Sequence, residues 1–328
     1  MSIEKVARLA GVSTATVSRV LNGYEGVRPA TRDRVLAAIA AIQYQPNLLA
    51  RQLRTSRSRM LLVLVSNIIN PFCSRVVRGI EAEAEAHGYH ILLCNSDSQT
   101  QRESAYLTLL SGKVVDGVIT MDAVSNLPGL RQMIGDSPWV QCAEGNPESE
   151  GSSVTIDNQQ AAREAIAHLT QRGRQRIAMI NGDPRYLYAQ QREKGYRAAL
   201  AERNVKWAAV EYANEVECEA GYAAMERLLA RGQRPDAVFA VSDVLAVGAI
   251  HCARQHQLRI PEDMAIMGYD DIELARYMTP PLTTIHQPKD ELGELAIDTL
   301  IHRLKTPGAS QQRLVLTPEL IERQSVVR

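Results

Sequence analysis

Apolar and small side chains recur at Val6, Ala7 and Ala10, then at Val17, Val20 and Leu21, with polar residues between them. That spacing predicts two short amphipathic helices whose apolar stripes face each other. Gly11 stands between them, where a left-handed turn residue is needed, and Ser13 is placed to cap the second helix by accepting a backbone N–H. The pair reads as a helix-turn-helix whose second helix leaves Thr14, Ala15, Thr16, Ser18 and Arg19 on its outer face. Short polar groups at a helix start can approach phosphates and base edges, and an Arg one turn on can fork onto a guanine. The bland alternative is a helical hairpin with a merely solvated polar face. The coincidence of turn, cap and face favours a reader of the DNA major groove.

A third helical stripe follows at Val35, Ile39 and Ile42, opened by Pro29 and stopped around Tyr44, Gln45 and Pro46. Residues 47–53 carry one or two turns of helical pattern. Arg54–Met60 is basic and polar, as a linker would be. At Leu61 the period changes. Apolar strand runs at 61–66, 89–94 and 117–120 alternate with helical segments at 74–87 and 102–111. A second series follows, with strands at 177–181, 237–241 and 265–270 and helices at 159–172, 192–203 and 244–255. Strand–helix alternation implies parallel sheets covered on both faces. The expected fold class is therefore α/β, an all-α head plus two doubly wound lobes whose strand ends face a shared cleft.

The expected boundaries are a head at 1–46, a hinge and linker at 47–60, and a cleft domain at 61–328. Its first lobe would span about 61–157 and 288–314, and its second about 158–287 and 315–328.

Charge sharpens this division. Among 328 residues, 37 basic and 37 acidic side chains cancel. Yet residues 1–60 hold ten Lys or Arg against Glu4, Glu25 and Asp33, a net +7 that leaves −7 on the rest. A basic head on an acidic body concentrates phosphate affinity at one end.

The five cysteines, 73, 94, 142, 218 and 252, are scattered without a CxxC pair, which argues against a disulfide framework and against a metal site. No dinucleotide fingerprint, phosphate-loop lysine, GxSxG elbow or HExxH motif occurs, so neither enzyme chemistry nor a cofactor is expected. With no signal peptide or membrane-length apolar run, a cytoplasmic protein is expected.

Candidate ligand contacts follow expected strands: Asn70, Phe72, Glu144, Asp157, Asp243, Asp270 and Gln287, with Arg192 at an expected helix start. Carboxylates and amides hold vicinal hydroxyls, an aromatic ring covers an apolar sugar face, and an Arg supplies a fork of donors. Helix capping competes with ligand contact at each position, above all at Asp157 and Asp243.

The stretches VARLAGVSTATVSRVLN (6–22), YQPNLLARQL (44–53), NPF (70–72), IDN (156–158) and PEDMAIMGYDDIELARYMTPPLTTIHQPKDELG (261–293) resemble the lactose-repressor (LacI/GalR) family of bacterial transcription regulators over essentially the whole chain. The resemblance implies two periplasmic-binding-protein-like lobes and a homodimer whose heads read a pseudo-palindromic operator in double-stranded DNA. It also implies a small-molecule effector in the cleft. Thr14, Ala15 and Arg19 match base-facing positions. Asn47, Ala50 and Leu53 match a hinge helix that forms on DNA, with Leu53 as a minor-groove wedge.

The C-terminal stretch resembles ribose-responsive members, with purine-responsive ones near behind. Ala143, Cys73 and Ser242 depart from the ribose pattern, however, and Ser242-Asp243 with Glu144 is closer to cytidine-responsive members. The implied effector set is Asn70, Phe72, Cys73, Glu144, Arg192, Ser242, Asp270 and Gln287, for ribose or another pentose-containing molecule such as a nucleoside. A sugar-processing enzyme with a DNA-binding head, and a sugar-binding module with non-specific nucleic-acid contacts, are the competing readings. The chain ends at IERQSVVR without a heptad tail, which favours a dimer over a tetramer.

Overall fold

In the computed structural model the described residues are 2–21, 23–44, 57–121, 130–146 and 151–326. The expected hinge positions Asn47, Ala50 and Leu53 lie outside them. The chain divides into a small unit ending at Ser58 and a large unit beginning at Arg59.

The small unit holds three helices, α1 (Ile3–Ala10), α2 (Thr14–Leu21) and α3 (Pro29–Ala41). Val6, Ala7, Ala10, Val17, Val20, Val35 and Ala38 close its core. Leu21, Ile39 and Ile42 pack only at its edge. Gly11 adopts φ +62°, the left-handed conformation required between α1 and α2. Pro29 occupies the first turn of α3, where its missing N–H costs nothing.

The large unit contains two six-stranded sheets. The first has the order β11-β5-β4-β3-β1-β2, from β1 (Met60–Val65), β2 (His90–Asn95), β3 (Gly117–Met121), β4 (Trp139–Ala143), β5 (Ser152–Ile156) and β11 (Arg313–Leu316). The second has the order β12-β10-β9-β8-β6-β7, from β6 (Arg176–Asn181), β7 (Trp207–Tyr212), β8 (Ala237–Ala240), β9 (Ala265–Asp270), β10 (Thr283–His286) and β12 (Glu319–Ile321). Every neighbouring pair is parallel except β10 and β12. Both sheets reverse direction of growth beside their first strand, and open parallel sheets bind ligands at that switch point.

The helices of this unit are α4 (Pro71–Ala86), α5 (Thr100–Ser111), α6 (Leu130–Ile134), α7 (Asn158–Gln171), α8 (Leu187–Glu202), α9 (Cys218–Leu229), α10 (Asp243–Gln255) and α11 (Lys289–Lys305). The chain crosses between the sheets three times, after Ile156, after His286 and after Leu316. The last crossing falls after Leu316 rather than after Leu314. Central strands such as β1 and β9 are buried almost throughout, as parallel strands covered on both faces must be. Among the described residues no helix is long and apolar enough to cross a membrane.

Candidate functional site

Two groups of residues carry the chemistry, one in each unit. On α2, Thr14, Ala15 and Arg19 are exposed, while Thr16 and Ser18 are half-buried. Ser13 Oγ accepts the Thr16 N–H at 3.2 Å and lies 3.0 Å from Thr16 Oγ1. The expected cap therefore forms, and it occupies the Thr16 hydroxyl. The Arg19 guanidinium carbon lies 5.9 Å from the centre of the exposed Tyr24 ring, within cation–π range. Tyr24 was not singled out from the sequence. It sits after the helix, where periodicity is silent.

In the large unit, a cavity of about 490 Å³ opens at the carboxyl ends of the strands of both sheets. It is lined by Asn70, Phe72, Cys73 and Glu144 from the first lobe and by Arg192, Ser242, Asp270 and Gln287 from the second and its crossing. All eight positions expected from the sequence thus meet in one place. The expectation for Asp157 and Asp243 was divided, and it resolves differently for each. Asp157 caps α7 by accepting the Gln160 N–H at 2.9 Å. The cap of α10 is Ser242, not Asp243.

Asp243 turns inward instead, accepting from Thr284 Oγ1 at 2.6 Å and from the Ile272 N–H at 2.9 Å. Gly268 makes room for it, since a Cβ there would come within 2.1 Å of Asp243 Oδ1.

Both carboxylate oxygens of Asp270 are held by neighbouring side chains. Ser242 Oγ donates to one carboxylate oxygen at 2.8 Å and Gln287 Nε2 to the other at 2.7 Å. Its backbone is held at φ +111°, and Asp271 follows at φ +50°. Non-glycine residues rarely enter this region unless the surrounding structure imposes it. Lys289, the first residue of α11, donates to the carbonyls of Asp270, Asp271 and Gln287. Burial raises the pKa of both Asp270 and Asp243, and Asp243 also feels the neighbouring Asp270 charge. Arg192, Ser242, Lys289 and Gln287 oppose the rise at Asp270. The two carboxyls therefore take up protons as a pair, at higher pH than free carboxyls would.

Arg192 lies in the second turn of α8 rather than at a helix start, because α8 begins at Leu187. Its guanidinium carbon sits 3.5 Å from the centre of the Tyr269 ring and 4.9 Å from that of Tyr188. Nε donates to Asn158 Oδ1 at 2.9 Å and Nη1 to the Val241 carbonyl. Asn70 accepts the Phe72 N–H at 2.9 Å as the cap of α4, which fixes the side chain with its amide nitrogen available as a donor. Glu144 Oε1 accepts the Tyr188 N–H at 3.4 Å, and the Tyr186 hydroxyl donates to Ser98 Oγ. Both bonds join the lobes across the cavity.

The lining also includes Asp97, Asp183, Tyr186, Tyr188, Glu215 and Glu217, none of them expected from the sequence. Asp97 follows β2 and was within reach of the strand-end rule. The two tyrosines were hidden by the late start assigned to α8, and Glu215 and Glu217 follow β7, a strand left unread.

Comparison with known proteins adds to this geometry. Residues 2–47 match the family model described as bacterial regulatory proteins, lacI family, and residues 166–326 match a periplasmic binding protein-like domain. The ribose operon repressor of Escherichia coli K12 is 42% identical over 328 residues, covering 99% of each chain. An HTH-type transcriptional repressor, PurR, of Vibrio cholerae is 36% identical over 332 residues, covering 99% of this chain and 98% of the other. A crystal structure of the lac repressor dimer bound to operator and the anti-inducer ONPF superposes with a TM-score of 0.92 at 26% identity, covering 100% of this chain and 99% of that one. These relatives are DNA-binding regulators rather than enzymes. With the matched head, the paired lobes and full-length similarity, the chain belongs to the LacI family of bacterial regulatory proteins and is a transcriptional repressor of that family.

Proposed function

We propose that the outer face of α2 reads operator DNA and that the cavity between the lobes binds an uncharged pentose or pentose-containing effector, with ribose the first candidate. The observation that carries this reading is the chemistry of the cavity wall. Six carboxylates, of Asp97, Glu144, Asp183, Glu215, Glu217 and Asp270, line it with the guanidinium of Arg192; Arg102 and Arg185 pair with Asp97 and Asp183, which leaves the wall net acidic. Acceptors in that number suit the hydroxyls of a sugar and repel a phosphorylated one. Phe72 supplies an apolar surface for a ring face. The full-length similarity to a ribose operon repressor supports the same ligand.

A nucleoside is the second reading. The cavity volume falls in the range of roughly 300–1,000 Å³ common for drug-sized ligands, and Tyr186 and Tyr188 stack at 5.7 Å on its wall, which suits a base beside the sugar.

In this reading residues 1–46 form the reading head, 47–60 the hinge and linker, and 61–328 the effector and dimerisation domain. Two copies of the chain bind the operator in the cytoplasm, as the likeness to an operator-bound dimer supports. Asn47, Ala50 and Leu53 belong to the hinge, with Leu53 wedged into the minor groove.

Calorimetric titration with ribose, other free pentoses, nucleosides, purine bases and ribose 5-phosphate tests the ligand class. Binding of a free pentose or nucleoside together with rejection of the phosphate ester is expected. Preference for the ester would overturn the reading of the cavity wall.

A further inference from the structure

Away from the cavity, Cys252, His256 and Glu226 converge on the outer layer of the second lobe. Cys252 lies in the last turn of α10 and His256, four residues on, is the residue that caps its C-terminus, while Glu226 projects from α9. The sulfur, an imidazole nitrogen and a carboxylate oxygen all lie within 4.8 Å of one another. His256 Nε2 is 2.9 Å from Glu226 Oε1. Cys252 is fully buried, Glu226 half-buried and His256 exposed, so the three groups run from the interior to the surface.

Two glycines make this convergence possible. A Cβ at Gly221 of α9 would come within 2.2 Å of the Leu245 carbonyl oxygen, and one at Gly248 of α10 within 1.8 Å of the Cys218 carbonyl oxygen. The two helices therefore pack backbone to backbone, which brings Glu226 within reach of Cys252.

We propose that Glu226, Cys252 and His256 form a binding site for one zinc ion, or a similar borderline-soft divalent transition-metal ion, with water in the fourth position. One thiolate, one imidazole and one carboxylate is a donor set that suits zinc and not the oxygen-seeking calcium or magnesium. Without metal the His256 ring and the Glu226 carboxylate hold each other at the surface, with the Cys252 sulfur beneath them.

Metal entry expels the thiol proton to solvent as the sulfur–metal bond forms, and His256 binds in its neutral form. Metal binding at such a donor set releases a proton. Tyr222 and Glu219 on α9 face the same groups. Bound metal staples α9 to α10, so it raises the stability of the folded chain.

Cobalt(II) added to the full chain after chelator treatment tests the site. The expected result is a thiolate-to-cobalt charge-transfer band saturating at one equivalent per chain, and a melting temperature raised by zinc. Cys252→Ser abolishes the band and Cys218→Ser keeps it. His256→Ala, at an exposed side chain, weakens cobalt binding at least tenfold. A second cluster, Glu83, His87 and Asp298, carries no sulfur, so metal bound there gives no such band. The proposal is overturned by absence of the band at saturating cobalt, by its survival in Cys252→Ser, or by unchanged affinity in His256→Ala. The last result decides the matter if the buried serine variant does not fold.

Discussion

Ser242 Oγ lies 2.8 Å from Oδ2 of Asp270 and also accepts the Val244 N–H that opens α10. One hydroxyl thus joins a helix start to the carboxylate at the centre of the cavity, so the two cannot shift independently. Asp270→Ala removes a carboxyl that accepts two side-chain hydrogen bonds within the protein, so some stability is lost with them. It also removes a ligand acceptor from the cavity wall, so effector affinity should fall at least tenfold and operator binding should cease to respond to ligand. Calorimetry with the best pentose or nucleoside, paired with operator titrations with and without it, checks this. Normal ligand affinity in a folded variant rules out the assignment of Asp270.

Arg19→Ala should weaken operator binding by about 1–3 kcal/mol per half-site, since a base-reading fork carries sequence discrimination. Tyr24→Ala should cost less and in the same direction, because the ring only orients the guanidinium. Titration of operator and random DNA at one salt concentration separates the roles. Equal loss on both DNAs would make Arg19 a phosphate contact.

Gly268→Ala places a methyl group on the Asp243 carboxylate, and Asp243 is anchored by Thr284 and Ile272 and cannot easily retreat. Overpacking of this kind costs about 1–3 kcal/mol. Denaturant unfolding should show that loss, and ligand titration should show weakened binding as the neighbouring Asp270 shifts. A variant as stable as the parent would mean that β9 yields more readily than its burial implies.

His168 provides a test against pH. Its pKa is lowered chiefly by burial, opposed by Glu322 and reinforced by Arg172. The unfolded chain therefore takes up the proton first as pH falls through the usual histidine value of about 6.5. The stabilisation is complete above that value and is lost as pH drops toward the folded-state pKa. His168→Gln should flatten the fall in melting temperature between about pH 7.5 and 5.5. An unchanged slope would move the pH dependence to other groups.

The long periodic elements were legible because their periodicity is physical. The stripes of α1 and α2 and the apolar runs of β1, β6 and β9 describe the faces they bury. β4 went unread because Gln141 interrupts its apolar run, although that side chain is buried and accepts the Asn146 N–H at 3.1 Å. The edge strands β7, β11 and β12 are short or half-exposed, and so lack a strong pattern.

The cavity positions were legible from the strand-end rule, but their division of labour was not. Whether Ser242 or Asp243 caps α10 depends on the space left by Gly268, more than twenty residues further along the chain. The convergence of Glu226 on Cys252 likewise depends on two glycines that no linear motif records.

The three crossings between the sheets bear on the order in which the chain is made. When a ribosome has released residues through β10, each sheet still lacks one edge strand, β11 for the first and β12 for the second. Neither lobe is a contiguous stretch that can finish while the other is still being synthesised. A nascent chain stalled before Arg313 would expose two open sheet edges at once, the surfaces most prone to pair with other chains. Loss of the last sixteen codons should therefore leave two unfinished lobes, rather than one intact lobe and one missing.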